Sequence, residues 1–413
     1  FQNDIKVRDN LLIKAGIRYD INRMSTVPDN NGNISPRIAF VYRPGLLPQL
    51  NLRAAYGLFF SAGLSAPSGV VAFIGRGFKI PVIPFPFSVL PFARPDRRFP
   101  KSQTVPADVS FKPQLSTESV FDLNLRNSYA QQISFGCDYM IDRDTVVSLN
   151  YNFVRGIKLF GDRNINPVVR PVLGDPVQSS INGRIDPTRG NIDEFESAFD
   201  SYYHALTLTF NRRFVKRFSL LASYTFSKAI DNFNDFVRVL EGVADPLNPG
   251  SERGLSLQDA RSRFVASGIW DLNYTNQPLL RNFQLSAILN LTTGRPYNLL
   301  AGVDLNQDGD NPAGDRPTGL GRNVGITPGF ANFDLRFSRR ININERVNID
   351  SFVEVFNLFN RVNIRDFDRT FPPDAQGNFL LPPQDGGRFI VPRDRYQGAF
   401  SPRQVQFGFK VSF

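Results

Sequence analysis

One loop of the chain carries acidic and amide side chains at the spacing of a calcium-binding loop. The segment DLNQDGDNPAGD runs from Asp304 to Asp315. Counting Asp304 as position 1 puts Asn306, Asp308, Asp310 and Asp315 at positions 3, 5, 7 and 12, with glycine at position 6. Hard cations prefer such oxygen ligands, so the pattern predicts a Ca²⁺ site of EF-hand type. Proline at position 9 and aspartate rather than glutamate at position 12 depart from the motif, and a solvated acidic turn is the alternative.

Other residues capable of chemistry are scarce. The single cysteine, Cys137, excludes a disulfide framework, and the single histidine, His204, excludes most histidine-based metal and catalytic sites. The chain contains no Walker P-loop, no HExxH and no GxSxG sequence. We therefore expect no enzyme and no cofactor apart from the calcium above, with Cys137 as an apolar packing residue and His204 as an interfacial side chain.

The net charge of +10 does not point to nucleic acid. The basic residues are scattered along the chain rather than gathered on one helix or one aromatic patch. We expect no nucleic-acid partner and favour attraction to anionic lipid headgroups or to an anionic solute. A plain solvated surface is the alternative.

Strict alternation of apolar and polar residues predicts β-strands along the whole sequence. The last segment shows it best, with Val405, Phe407, Phe409, Val411 and Phe413 on one face and polar or small residues on the other. About thirteen strands follow, near residues 1–7, 10–20, 35–43, 49–60, 127–141, 144–158, 201–214, 217–230, 261–274, 280–293, 329–341, 345–358 and 403–413.

The lengths of the strands and of their connections favour a membrane barrel over a soluble sandwich. Most runs have about ten to fourteen residues, enough to cross an outer membrane at a tilt. Short links alternate with long ones at 21–34, 61–126, 159–200, 231–260, 294–328 and 359–402. No stretch has the roughly 18 apolar residues of a membrane-spanning helix. The predicted fold is all-β, an antiparallel up-and-down transmembrane β-barrel.

Aromatic and charged residues agree with this prediction. Apolar-face aromatics fall at both ends of the strands, as in the girdles of membrane barrels: Tyr42, Tyr139, Tyr274 and Phe413 at the short-turn ends, and Tyr19, Phe60, Tyr129, Tyr202 and Phe226 at the long-loop ends. The polar face carries charges of both signs, which a dry core would not tolerate: Arg37, Arg43, Arg53, Asp138, Asp271, Asp334, Arg336, Asp350 and Glu354. That face should be wet or covered by a polar plug.

Several stretches resemble a known family. NLLIKAGIRYD, SPRIAFVYRP, NLRAAYGLFFS, ERGLSLQDARSRFVASGIWDL, EVFNLFN and SPRQVQFGFKVSF, in this order, are similar to the TonB-dependent outer-membrane receptors, particularly the Oar-like group. The resemblance implies a bacterial outer-membrane location and a 22-stranded barrel with an N-terminal plug. Residues 1–413 would be a single transmembrane barrel domain, a fragment holding roughly the last thirteen strands. The plug and the N-terminal regions that contact TonB would lie outside it.

The resemblance also implies a function and partners, among them outer-membrane lipid and lipopolysaccharide. Active import of an extracellular substrate is the leading interpretation, while a passive porin-like channel and a surface adhesion protein are the alternatives. The alternation ending at Phe413 looks like the signal read by the barrel-assembly machinery, formed by Val405, Phe407, Phe409, Val411 and Phe413. The substrate cannot be read from the loops. The loop from Ala62 to Arg126 holds an apolar, proline-broken run, which we interpret as a lid over the barrel mouth or a direct ligand contact.

Overall fold

A computed structural model describes residues 1–22, 30–61, 118–232, 243–275, 277, 281–308, 315–344 and 347–413. In chain order its strands are β1 (Gln2–Arg8), β2 (Leu11–Asn22), β3 (Asn30–Tyr42), β4 (Leu50–Phe60), β5 (Glu118–Phe121), β6 (Tyr129–Met140), β7 (Thr145–Asn164), β8 (Ile192–Val215), β9 (Phe218–Asp231), β10 (Gly254–Leu255), β11 (Ser262–Asp271), β12 (Phe283–Thr292), β13 (Pro296–Tyr297), β14 (Gly325–Ile326), β15 (Phe330–Asn342), β16 (Asn348–Phe356), β17 (Ile364–Phe367), β18 (Gln384–Asp385), β19 (Arg388–Ile390), β20 (Tyr396–Ala399) and β21 (Gln404–Ser412). A helix, α1 (Pro176–Asn182), and two 3₁₀ turns (Pro249–Glu252 and Arg393–Arg395) complete the regular structure of the described ranges.

Thirteen strands form one continuous antiparallel sheet in the order β1-β2-β3-β4-β6-β7-β8-β9-β11-β12-β15-β16-β21, and we call them the wall strands. Each pairs with its neighbour along the path, as an up-and-down topology requires, and β1 and β21 are the two edges. The thirteen strands predicted from alternation are confirmed, and most of their ends agree to within a few residues.

The pairing register keeps the two faces of the sheet chemically distinct. Val355 lies opposite Val405 and Val353 opposite Phe407, while Glu354 lies opposite Gln406. Equivalent pairs recur across the sheet, so that apolar residues share one face and polar residues the other. A slip of one residue would move the charges of the polar face, such as Glu354, onto the apolar face, and this fixes the register.

Short turns between wall strands use local hydrogen bonds. In the turn between β6 and β7, an Asp142 carboxylate oxygen accepts a hydrogen bond from the backbone N–H of Asp144 at 2.8 Å. This backbone hydrogen bond lowers the pKa of Asp142. Aspartate commonly closes a turn in this way, which explains why IDRDT can reverse the chain in so few residues.

Two wall strands extend well beyond their predicted ends. β7 has 20 residues and β8 has 24, and their pairing continues from Leu159 opposite Phe199 to Asn164 opposite Asp193. The register shifts between Gly156 and Leu159, and Lys158 has a positive φ of 54°. We call this extension the ribbon. Alternation missed it because the bulge breaks the period and the ribbon strands are rich in charge.

Long connections also carry structure that alternation did not predict. β5 pairs in parallel with the ribbon part of β8. The loops between β12 and β15 and between β16 and β21 contain a four-stranded sheet, β13-β14-β19-β18, and the pair β17-β20. Among the residues described, no helix is long and apolar enough to cross a membrane.

Candidate functional site

A hydrogen-bonded cluster occupies the polar face where β4, β6 and β7 are neighbours. The Arg53 guanidinium donates to Asp138 at 2.8 Å and to the side-chain oxygen of Asn150 at 3.1 Å. Ser148 donates to the same Asp138 oxygen at 2.7 Å. Gly136 makes room for the cluster, since a Cβ at that position would lie 2.4 Å from the Asn150 oxygen. Two predicted polar-face residues, Arg53 and Asp138, are thus brought together.

Further ion pairs line the polar face near the C-terminus. Arg336 lies 3.0 Å from Glu354, and Arg340 lies 2.7 Å from Asp350. The arginine side chains are 45% and 64% exposed. Pairs this exposed contribute at most about 1 kcal/mol each, so they do not hold the sheet together. Their arrangement agrees with the prediction of a wet polar face.

A groove of about 590 Å³ opens near the first strands, and its charged side chains are cationic while its other polar side chains, such as Gln132 and Asn152, are neutral. Lys14, Arg18 and Arg37 line it together with Phe59. Lys14 and Arg18 are paired with carboxylates, whereas the Arg37 guanidinium lies over the Phe59 ring, 4.4 Å from its centroid. An arginine that rests on an aromatic ring keeps its N–H groups available. The groove is therefore suited to polar or anionic solutes.

The long loops near the C-terminus fold into a compact unit, which we call the platform. It comprises residues 294–308, 315–328 and 359–402. Its core is formed by Tyr297, Leu299, Phe371, Phe389 and Val391, all of which are at most 7% exposed. The backbone of Leu300 accepts a hydrogen bond from Phe371 N at 2.7 Å and donates to Arg369 O at 2.9 Å, which joins the two loops.

Two buried ion pairs attach the platform to its neighbours. Arg316 donates to both carboxylate oxygens of Glu252, whose side chain is only 4% exposed. Arg322 pairs with Asp231 at the end of β9. Burial makes such pairs costly to break, because removal of one partner leaves the other charge uncompensated. The platform therefore has a fixed position over the long-loop end of the sheet.

Burial shifts the pKa of two platform groups. It raises the pKa of Tyr297 to about 12, and the Tyr297 hydroxyl has no hydrogen-bond partner within the described ranges. It also lowers the pKa of Arg388, whose guanidinium donates to the Asn323 carbonyl at 3.0 Å. Neither group stands beside a nucleophile or a second titratable partner at hydrogen-bond distance in this part of the chain, so both serve the packing of the platform.

The predicted calcium loop lies at the edge of the platform. The Asp308 backbone N–H donates to side-chain oxygens of Asp304 and Asn306, each at 3.1 Å. Asp315 accepts from the backbone N–H of Leu305 at 2.7 Å, and burial raises its pKa. Asp310 lies outside the described residues, and so does the predicted lid at 62–117. The described residues alone contain no cluster of three or more metal-ligating side chains. The Ca²⁺ site stays a prediction.

The predicted assembly residues all lie in or next to edge strand β21. Val405, Phe407, Phe409, Val411 and Phe413 share its apolar face and are 46% to 100% exposed. Their placement on one face agrees with the alternation in the sequence. Recognition of these residues by the barrel-assembly machinery stays a prediction.

The single cysteine and the single histidine of the chain lie on the same apolar face of the sheet. Cys137 is half-buried opposite Leu149, and the His204 ring nitrogen Nδ1 lies 2.8 Å from the Tyr151 hydroxyl oxygen. Neither belongs to a group of metal-ligating side chains in the described part of the chain.

Alternation did not single out the residues that anchor the platform, Glu252, Arg316 and Arg322. Glu252 stands in the segment ERGLSLQDARSRFVASGIWDL that carries the family resemblance. The family resemblance of that stretch could have pointed to Glu252 as a functional residue. The two arginines stand in a loop that has no alternation of apolar and polar residues.

Comparisons with known proteins agree with this architecture. The chain is 24% identical over 329 residues to the TonB-dependent transporter Oar of Myxococcus xanthus, covering 71% of this chain and 29% of Oar. The ferric enterobactin receptor PfeA of Pseudomonas aeruginosa shares the fold with a TM-score of 0.54 at 14% identity. The outer membrane transporter YddB of Escherichia coli does so with a TM-score of 0.53 at 12% identity.

Coverage differs between this chain and the solved structures. The PfeA match spans 100% of this chain and 44% of PfeA, and the YddB match spans 98% and 43%. The chain thus spans under half the length of each of these relatives. Similarity to outer-membrane barrel domains and to Oar places the chain in the bacterial outer membrane. Residues 21–321, well over half of the chain, match the family model described as "Outer membrane beta barrel domain", and the chain belongs to that family.

Proposed function

We propose that the chain forms the C-terminal part of the barrel of a TonB-dependent transporter, which imports an extracellular substrate into the periplasm. The sequence similarity to Oar over 71% of the chain carries this proposal. Whole-protein activity, the plug and the contact with TonB are parts of the proposal, since the chain covers 29% of Oar.

The polar face and the platform support active import over a structural role. Exposed groups such as Arg37 and Arg53 would line the lumen and give a solute a polar path. The platform would present a rigid surface at the mouth, because its two loops share one core and are held by buried ion pairs. Binding sites built on a rigid scaffold lose little entropy when they engage a ligand.

Two measurements on the full-length protein test the proposal. The purified periplasmic domain of TonB should bind the full-length protein in a surface-plasmon-resonance assay. Planar bilayers that contain the protein should show no steady K⁺ and Cl⁻ conductance, because a plugged barrel does not leak ions. Steady conductance without TonB binding would instead identify a passive channel. Absence of both would favour a surface or adhesive protein.

A further inference from the structure

Cationic side chains gather on the apolar face of the sheet where β7, β8, β9 and β10 approach the long loops. His204 of β8 lies between Phe153 and Lys228, and Tyr202 lies between Arg155 and Ile230. Leu255 continues the second row, which puts Arg253 two residues further along the same face. We call Arg155, Tyr202, His204, Lys228 and Arg253 the outer patch.

Tyr202 is the centre of the outer patch. The guanidinium carbons of Arg155 and Arg253 lie 5.2 and 5.0 Å from the centroid of its ring. Cation–π contact of this kind holds an arginine in place without consuming its N–H groups. The ring therefore keeps two arginines beside one aromatic side chain, with N–H groups available to an anion.

The cations of the outer patch have unused binding capacity. Lys228 and Arg253 are exposed, and the buried Arg155 Nε has no hydrogen-bond partner among the residues that the structure describes. Within the described ranges, neither Arg155, Lys228 nor Arg253 forms an ion pair.

An exposed apolar surface adjoins the outer patch on the membrane side. Leu206, Leu208 and Phe226 are 45%, 48% and 51% exposed. Leu206 and Phe226 lie one row, or about 7 Å, from His204 and Lys228, because same-face residues of a strand are two rises apart. Cations directly above an apolar belt match an amphiphile that has an anionic head and hydrocarbon chains.

We propose that the outer patch binds the phosphate group of a lipid in the outer leaflet, with the acyl chains against Leu206, Leu208 and Phe226. Arg155 and Arg253 supply forked N–H donors, which suit phosphate oxygens, and Lys228 supplies a point charge. A soluble anion is a poorer match, because the outer patch faces away from the lumen. The inference rests on the long loops being extracellular, as their length indicates.

Native mass spectrometry of the full-length protein in detergent tests the inference. The probes are bisphosphorylated lipid A, the same lipid without its phosphates, and inorganic phosphate. The test variant is Arg155→Gln with Arg253→Gln. The matched control is Arg217→Gln with Arg339→Gln, because those guanidinium carbons each lie 5.0 Å from the ring centroid of another aromatic residue, Tyr274 or Phe283, near the short-turn ends.

The phosphorylated lipid should bind the wild type more tightly than the dephosphorylated lipid. The test variant should lose at least about tenfold in affinity for the phosphorylated lipid, as expected when charge-assisted hydrogen bonds are removed. The control should retain its affinity. Lys228→Gln, an exposed change that leaves Tyr202 packing intact, should weaken binding too and guards against a folding defect in the double variant.

Three results would overturn the inference. The first is equal binding of the two lipids by the wild type. The second is an equal loss of affinity in the test variant and in the control. The third is full displacement of the lipid by an equal concentration of inorganic phosphate, which would indicate a soluble-anion site.

Discussion

Replacing Glu252 by glutamine should release the platform from its neighbours while the wall strands stay intact. Glu252 accepts two hydrogen bonds from the Arg316 guanidinium, one of them at 2.9 Å, and a third from Ala244 N at 3.0 Å. The Glu252 and Arg316 side chains are 4% and 13% exposed. Glu252→Gln removes the negative charge and turns an N–H₂ group toward the guanidinium, so that Arg316 stays buried without its hydrogen-bonded counter-charge.

The expected cost follows from this burial. Removal of one partner of a buried ion pair typically costs about 3–5 kcal/mol. Because about 1.4 kcal/mol is a factor of ten, the opening equilibrium of the platform should rise at least about a hundredfold. The double variant Glu252→Gln with Arg316→Gln should be less destabilised than Glu252→Gln alone, since it leaves no orphaned charge.

Amide hydrogen exchange on the full-length protein measures this opening. Backbone amides of residues 243–256 and 315–323 should exchange much faster in Glu252→Gln, while those of β12 should be unchanged. Unaltered exchange near Glu252 would refute the reasoning, because it would mean that the ion pair does not hold the platform. Faster exchange throughout β12 would refute it as well, because the wall and the platform would then open together.

Three other predictions address single features. Tyr297→Phe should leave the platform as stable or more stable, because it deletes a buried hydroxyl without a partner in the described chain. The folded-state pKa of Tyr297 is raised to about 12, so the wild-type platform should lose stability as the pH rises from about 10 through that value. Hydrogen exchange at alkaline pH should show a smaller loss of stability in Tyr297→Phe. Equal losses in the two proteins would contradict this. Calcium should give saturable heat in calorimetry that Asp304→Ala and Asp308→Ala abolish, and equal heats in all three proteins would exclude the loop as the site. Phe413→Ser in the full-length protein should slow outer-membrane assembly, since an exposed aromatic terminus is lost, and an unchanged folded yield would remove that role.

The wall strands could be predicted from sequence because successive residues of each strand face two different environments and alternate between apolar and polar side chains. Alternation in a strand such as β21 is a local pattern with a period of two, and it survives without knowledge of the partner strand. Charges such as Arg53 and Asp138 could be assigned to the polar face for the same reason. The contact between Arg53 and Asp138 could not be predicted, because a connection of more than sixty residues separates β4 from β6 in the sequence. Most of that connection carries no alternation.

The platform shows where sequence patterns end. Three of its strands, β13, β14 and β17, have two to four residues, too few to display a period. The core residue Tyr297 stands between Pro296 and Asn298, and the ring against which it packs, Phe367, belongs to the other long loop. The anchors Glu252 and Arg316 are 64 residues apart in sequence, so only the folded chain brings their charges together.

The ribbon has a consequence for how a ligand would be met. From Leu159 to Asn164 its two strands are paired with each other, and β5 covers part of β8. At about 3.3 Å per residue, this paired segment extends roughly 15–20 Å beyond the bulge. Because its backbone is already ordered, contact with a ligand would cost little conformational entropy. A ligand that bound to the ribbon would thus meet backbone that is already paired, rather than a segment that has to fold on contact.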